Sequence, residues 1–260
     1  MQALNVNHFC ELEARSIALR IDAFFDEYHI SRYGSQVRQA PEVSATAIYE
    51  SQSIQALDDH DRKRALLLYY RARFQSALCS QYAGIENRLV HIPNQDQSKW
   101  LNPHVQILAA STRQAGIVAA RISFECLMEF VYFVENRKLI PARKSKLGTF
   151  RKWLSRPGNG FGWLVFYLLV VHRFDRNHRT PEVHGTSYIA IDSICCNEWP
   201  KQDSELDVTN LNLNIWRSIL ETLNGGSNLS CFYGPSDELL FQEFFNWRDT
   251  DLDALWKKYA

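Results

Sequence analysis

The residues best suited to chemistry fall in one short run, His172-Arg173-Phe174-Asp175-Arg176-Asn177-His178-Arg179-Thr180-Pro181-Glu182-Val183-His184-Gly185-Thr186-Ser187. Three arginines and three histidines share its first thirteen positions. Two pairs in it have the form Arg, four residues, His: Arg173 with His178, and Arg179 with His184. A guanidinium can hold two phosphate oxygens in a bidentate fork. An imidazole titrates near neutral pH and can give or take a proton. Together they suit cleavage of a phosphodiester. With 20 arginines and 8 histidines in 260 residues, about 0.6 such pairs arise by chance at any one spacing, so spacing alone does not single out either pair. A basic run after an apolar helix also has a plain reading, as a solvated helix end that complements the helix dipole.

What favours Arg179 and His184 is the local start signal. Thr180-Pro181-Glu182 reads as a helix N-terminus, with Thr as the cap, Pro at the first helical position and an acid behind it. Free backbone N–H groups and the positive dipole end make such a terminus a ready anion site. Arg179 would then stand just before that end and His184 one turn inside it, so the two could surround one phosphate.

The elements that must hold this run are read from the periodicity of the chain. Residues 11–30 carry an amphipathic helix, with Leu12, Ile17, Leu19, Ile21, Phe24, Phe25 and Tyr28 as its apolar positions. Residues 31–57, rich in Ser, Gln and Thr, read as a loop. A helix is expected from Asp58 or Asp59 to about Tyr82, with Leu66, Tyr69, Tyr70, Phe74, Ala77 and Leu78 as its stripe. Its bases Arg62, Lys63, Arg64, Arg71 and Arg73 could face nucleic acid, but an ordinary exposed face is the favoured reading. A polar loop over 84–103 follows.

Asn102 as cap and Pro103 at the first position open a long helix from His104 through Asn136, interrupted in composition only by Gly116. Its C-terminal half is apolar almost all round and should be buried. Arg121, Glu125 and Glu129 share a face there, as a surface ion pair or as a support for the basic run. A linker over Lys138–Lys146 and a short helix over Leu147–Leu154 come next, stopped by Ser155-Arg156-Pro157-Gly158-Asn159-Gly160. The helix Phe161–Phe174 then delivers the chain into the basic run. Residues 186–206 are ambiguous between strand and helix. Val208–Leu223 is helical and closed by Asn224-Gly225-Gly226, and Ser236-Asp237-Glu238 opens a last helix. Strand signal is nearly absent, so the fold class is all-α, a bundle of about seven helices.

Composition narrows the classes. Apolar residues are 46% of the chain, enough for a sizeable core, and the net charge is zero, which excludes a globally basic nucleic-acid binder but not a local basic cleft. Six scattered cysteines with no CxxC spacing indicate reduced thiols and a cytoplasmic protein. The first ten residues lack an apolar core, and the longest apolar run, Phe161–Val171, falls well short of the roughly 20 residues that span a membrane. No cofactor or metal is expected. The histidines recur every six residues, which does not bring them to one helical face.

Arg179-Thr180-Pro181-Glu182-Val183-His184-Gly185 resembles the signature of the HEPN family, small α-helical bundles that include prokaryotic toxins, CRISPR-associated effectors and antiphage RNases. That signature is Arg, four to six residues, His, often with a polar residue after Arg and Gly after His. The stretch Arg121-Ile122-Ser123-Phe124-Glu125-Cys126-Leu127-Met128-Glu129-Phe130 resembles the first long helix of such bundles. The resemblance covers roughly residues 104–224. It implies a four-helix core within 101–260 and a separate N-terminal helical extension over 1–100. It also implies metal-independent RNA cleavage at a cleft between two copies of the chain. By transfer, Arg179 would neutralise the scissile phosphate and His184 would move the proton. Thr180 could orient His184 or bond a phosphate oxygen, and Arg173, Arg176 and His178 would bind flanking phosphates. RNA, a second copy and an antitoxin or activator are the implied partners. The chain departs from the family at Thr180, where Asn, Asp or His is usual, and at Pro181. Those departures favour the alternative, a non-catalytic nucleotide- or RNA-binding or scaffold protein on the same bundle.

Overall fold

A computed structural model describes residues 12–33, 43–90, 103–141, 145–165, 167, 168, 171 and 208–226. The fold is all-α: among the described residues there are seven α-helices, one 3-10 turn and no strand. The helices are α1 (Ala14–Tyr33), α2 (Ala45–Glu50), α3 (Gln52–Gln55), α4 (Asp59–Val90), α5 (Pro103–Asn136), α6 (Lys146–Leu154) and α7 (Val208–Leu223). The 3-10 turn is Gly162–Leu164.

The two long helices, α4 and α5, lie antiparallel and form the spine. Arg64 of α4 stacks over the Phe133 ring of α5 at 5.3 Å. Further along, the buried Ser123 hydroxyl donates to the Ala72 carbonyl at 2.9 Å. Gly116 then faces Tyr82, where an added Cβ would stand 3.3 Å from the Tyr82 Cβ. Finally Arg113 pairs with Glu86 at 3.7 Å, both nearly buried. Ala65, Ala72, Ala119 and Ala120 are buried beside these contacts, so the two backbones approach closely. The match runs over 22 residues of α4, about 33 Å of helix. It accounts for Gly116 in mid-helix, since even an added Cβ would press on Tyr82.

The sequence places a polar loop from residue 84, yet α4 continues to Val90. The last two turns are held by tertiary contacts that local composition does not reveal. Glu86 is buried against Arg113. Arg32 of α1 donates to the Ser80 carbonyl at 2.7 Å and to the Tyr28 hydroxyl at 2.6 Å. Gly84 leaves room for that crossing, since a Cβ there would stand 3.3 Å from an Arg32 guanidinium nitrogen.

Part of the expected loop over 31–57 is also helical, because a residue far away in sequence caps it. Asp22 of α1 accepts from the Ala45 N–H at 2.6 Å, the Thr46 N–H at 2.9 Å and the Thr46 hydroxyl at 2.6 Å. Ser44 accepts from the Ala47 N–H at 3.0 Å. The orphan donors of α2 are thereby satisfied, and Ile48, Ile54 and Leu57 are free to bury. In α1 itself Ile17, Ala18, Ile21 and Phe25 form the buried stripe, whereas Leu19 faces outward at 55% exposure.

Sequence signals locate α7 well. Gly225 takes φ +76°, the Gly226 N–H bonds the Glu221 carbonyl at 2.8 Å and the Gly225 N–H bonds the Thr222 carbonyl at 3.0 Å. That is a Schellman closure, and it requires the glycine. Trp216 seats the helix, ringed by Tyr69 at 4.9 Å and Phe130 at 5.2 Å in edge-on contacts. The α7 end also meets α3, where Ser53 donates to the Leu223 carbonyl at 2.9 Å. One hydrophobic core therefore takes in residues from Ala14 to Leu223, on both sides of position 100.

Burial raises the Tyr69 phenol from its ordinary value of 10.0 to about 12, against the opposing pull of the nearby Arg73 charge. The hydroxyl donates to the Val43 carbonyl. A raised pKa contributes stability below pH 10, and that contribution is lost as pH rises to 12. Unfolding measured against pH should therefore fall by about 2 to 3 kcal/mol across that window. Tyr69→Phe should flatten this limb while costing about 1 kcal/mol at neutral pH through the lost hydrogen bond. An alkaline limb identical in both proteins would contradict the assignment.

Candidate functional site

The expected reacting residues Arg179 and His184, and the expected substrate-binding residues Thr180, Arg173, Arg176 and His178, lie outside the described residues. What the structure describes is the frame to which their segment is attached. The chain leaves α6 through a turn in which Asn159 accepts from the Phe161 N–H at 2.9 Å and donates to the Trp153 carbonyl at 2.9 Å. Phe161, Trp163, Leu164, Val165, Tyr167, Leu168 and Val171 are all buried. Trp163 donates from its indole to Thr222 of α7 at 3.1 Å. Tyr167 stands edge-on to Phe124 of α5, with ring centres 5.6 Å apart. Val171 is fully buried, and His172 is the next residue. The basic run thus begins one residue after a segment fixed between α5, α6 and α7.

Beside this segment lies a compact ionic cluster. Arg121 and Glu125 pair at 3.5 Å one turn apart on α5. Lys146, the first residue of α6, reaches Glu125 at 3.4 Å and Glu129 at 2.9 Å. Sequence periodicity brought Arg121, Glu125 and Glu129 to one face, and the structure shows an ion pair there with a partner the spacing did not reveal. Lys146 stood at the end of the expected linker, and its only sequence signal was Ser145, which caps α6 by accepting from the Gly148 N–H at 3.2 Å. Among the described residues two cations and two carboxylates meet here, and their charges balance.

The cluster has a wet side and a dry side. The Lys146 and Glu125 side chains are each 31% exposed, whereas Arg121 and Glu129 are buried. Burial alone would depress the Lys146 ammonium, but the hydrogen bond and charge of Glu129, with Glu125 behind them, outweigh it and raise it. On the dry side stands Tyr167, fully buried, whose hydroxyl has no hydrogen-bond partner among the described residues. Burial pushes that phenol well above its ordinary value, and Arg121 is the charge that opposes the shift. Leaving a buried hydroxyl unbonded costs about 1 to 3 kcal/mol.

The other features are structural. The bases of α4 are largely committed to the fold. Arg62 donates to the Leu57 carbonyl at 2.9 Å, Lys63 pairs with Asp59 at 2.8 Å and Arg73 donates to the Val43 carbonyl at 3.2 Å. Burial raises the Cys126 thiol away from reactivity. An open groove of about 530 Å³ runs between α4 and α5, lined by Gln75, Leu78, Tyr82, Gln114, Val118 and Ile122 among others. Among the described residues no Asp, Glu, His, Lys or Arg lines it. Among the described residues no three His, Cys, Asp or Glu side chains converge as metal ligands, and no helix is long and apolar enough to cross a membrane. Comparison with protein-family models, curated proteins and solved structures gives no match.

Removing Lys146 tests whether the cluster stabilises the frame. Lys146→Met leaves Glu129 buried without its closest cation, and should lower the unfolding free energy by about 2 kcal/mol, allowing for the partly exposed ammonium. Adding Glu129→Gln should recover part of that loss, because it removes the stranded charge. Equal stability of wild type and Lys146→Met in urea would rule the cluster out as a support.

Proposed function

We propose that this chain is a metal-independent endoribonuclease of the HEPN type, acting as a toxin or antiphage effector. In this reading Arg179 neutralises the scissile phosphate and His184 transfers the proton as the RNA 2′-hydroxyl attacks. Thr180 orients His184 or a phosphate oxygen, while Arg173, Arg176 and His178 hold flanking phosphates. Two copies of the chain would meet to form the cleft, and an antitoxin or activator would govern it.

The observation that supports the reading is the burial of the segment that leads into the basic run. Catalysis by positioning needs the reacting groups fixed to within a fraction of an ångström, and such groups are best held on a packed element. Here the residue immediately before the run, Val171, is fully buried in the core, as are Tyr167 and Leu168. A basic stretch that merely decorated the surface would not need so firm a root. The all-α frame and the long α5 carrying Arg121, Glu125 and Glu129 accord with the resemblance in the sequence. Thr180-Pro181 favours a second reading, in which the same bundle binds RNA without cutting it.

Induced expression separates the two readings. Wild type should arrest growth and fragment total RNA. Arg179→Ala should reduce cleavage by about 100- to 1,000-fold, and His184→Ala by about 100-fold or more. RNA that is bound and left intact by wild type would select the binding protein. Arrest and fragmentation that persist in both variants would remove Arg179 and His184 from the chemistry.

A further inference from the structure

The bases of this chain are unevenly shared. From Asn136 through Phe174 the sequence holds nine Lys and Arg and no Asp or Glu. Six of the nine are described residues, and the fold commits two of them. Lys146 is held by Glu125 and Glu129, and Arg151 is half-buried with contacts of its own. The other four, Arg137, Lys138, Lys152 and Arg156, are exposed, and none of their side chains pairs with a described residue. Packing gathers these four at one end of the bundle. Tyr132 of α5 lies edge-on to Trp153 of α6, with ring centres 5.4 Å apart. Arg137 and Lys138 follow directly on the end of α5, while Lys152 adjoins Trp153 and Arg156 comes just after α6. The ends of the two helices therefore lie side by side with two cations on each. Glu135 is the one acid between Glu129 and Asp175. Arg137 carries a further mark. It takes φ +55°, the left-handed conformation in which a helix ordinarily ends on glycine, and its N–H bonds the Phe133 carbonyl at 2.8 Å. Glycine would close α5 with less strain, so the fold alone does not call for an arginine there.

We propose that the adjoining ends of α5 and α6 form an RNA-contact surface, at which Arg137, Lys138, Lys152 and Arg156 hold the phosphate backbone of a single strand away from the cut. The inference rests on the reading that this chain acts on RNA, and it adds a substrate property, length. Exposed cations without partners are what sequence-independent backbone contact needs. An acidic lipid surface fits less well. A helix that lies on a membrane sets apolar side chains into it, and Phe150, Trp153 and Leu154 of α6 are all buried in the core. A partner protein would need an aromatic or apolar anchor at the centre of the contact. Here Tyr132 and Trp153 pack on each other, and Leu139, 38% exposed, is a single apolar side chain beside four charges. An RNA that reaches from the cut to this surface binds more tightly than one confined to the cut, while the chemical step is the same for both.

Binding to non-cleavable 2′-O-methyl polyuridine, measured over a range of salt, tests this. The fourfold variant Arg137→Gly/Lys138→Gln/Lys152→Gln/Arg156→Gln should lower the slope of log affinity against log salt by about 3, since each phosphate contact on a single strand contributes about 0.7. Arg137→Gly alone should lower it by about 0.7 and leave the melting temperature unchanged or raised. Arg15→Gln/Arg20→Gln removes two exposed cations from α1 and should keep the wild-type slope. In cleavage, the fourfold variant should raise KM on a long RNA by about tenfold or more, with kcat within about twofold and KM on a short RNA unchanged. Wild-type slope and affinity in the fourfold variant would overturn the proposal, as would an equal loss of slope in the Arg15, Arg20 control. A melting temperature several degrees lower in the fourfold variant, with RNA binding unchanged, would assign the four cations to the helix dipoles instead. Wild type that binds phosphatidylserine vesicles and not polyuridine would hand the surface to a membrane and overturn the proposal. Wild type that binds polyuridine through the four cations yet cuts no RNA would uphold this surface and refute the ribonuclease reading.

Discussion

The close approach of α4 and α5 is the constraint on which the rest depends. Gly116 against Tyr82 and Ser123 on the Ala72 carbonyl bring two long backbones together without intervening bulk. Once paired, they present Tyr69 and Phe130 to one side, where Trp216 of α7 fits, and Phe124 to another, where Tyr167 fits. The same pairing extends α4 to Val90, since Glu86 finds Arg113 only on the neighbouring helix. Smaller elements are then added by capping at long range, as Asp22 does for α2. Close-packed interiors of this kind resist deformation, and the ribonuclease reading asks for such a frame.

Charge is handled in a way consistent with that demand. The arginines of α4 bond carbonyls and rings, and the Lys146 cluster balances its own charges. Between His172 and His184 the sequence carries three arginines and three histidines with two acids, Asp175 and Glu182. In the ribonuclease reading that run supplies the phosphate binding at the cut while the packed core contributes rigidity.

Legibility in the sequence followed the range of the forces involved. The long helix opening at Pro103, the short helix stopped after Leu154 and the closure of α7 at Gly225 were readable because local capping and periodicity decide them. The end of α4 and the helices α2 and α3 were not, because Arg113, Arg32 and Asp22 decide them from other parts of the chain. Arg121, Glu125 and Glu129 could be placed on one face, yet their partner Lys146 comes from α6 and has no helical register with them. Tyr167 falls within the expected helix Phe161–Phe174 with no sequence signal to mark it, and the structure shows its oxygen buried with no hydrogen-bond partner among the described residues. Arg173, Arg176, His178, Arg179, Thr180 and His184 are argued from sequence alone.

The chemistry of the cut ends tests the central claim most directly. Attack by the 2′-oxygen bonds it to phosphorus and expels the 5′-oxygen of the next nucleotide, which takes a proton. Purified protein incubated with a defined RNA in excess EDTA should therefore leave 2′,3′-cyclic phosphate and 5′-hydroxyl ends, at the rate seen without chelator. Cleavage that stops with EDTA, or that leaves 3′-hydroxyl and 5′-phosphate ends, would contradict the account.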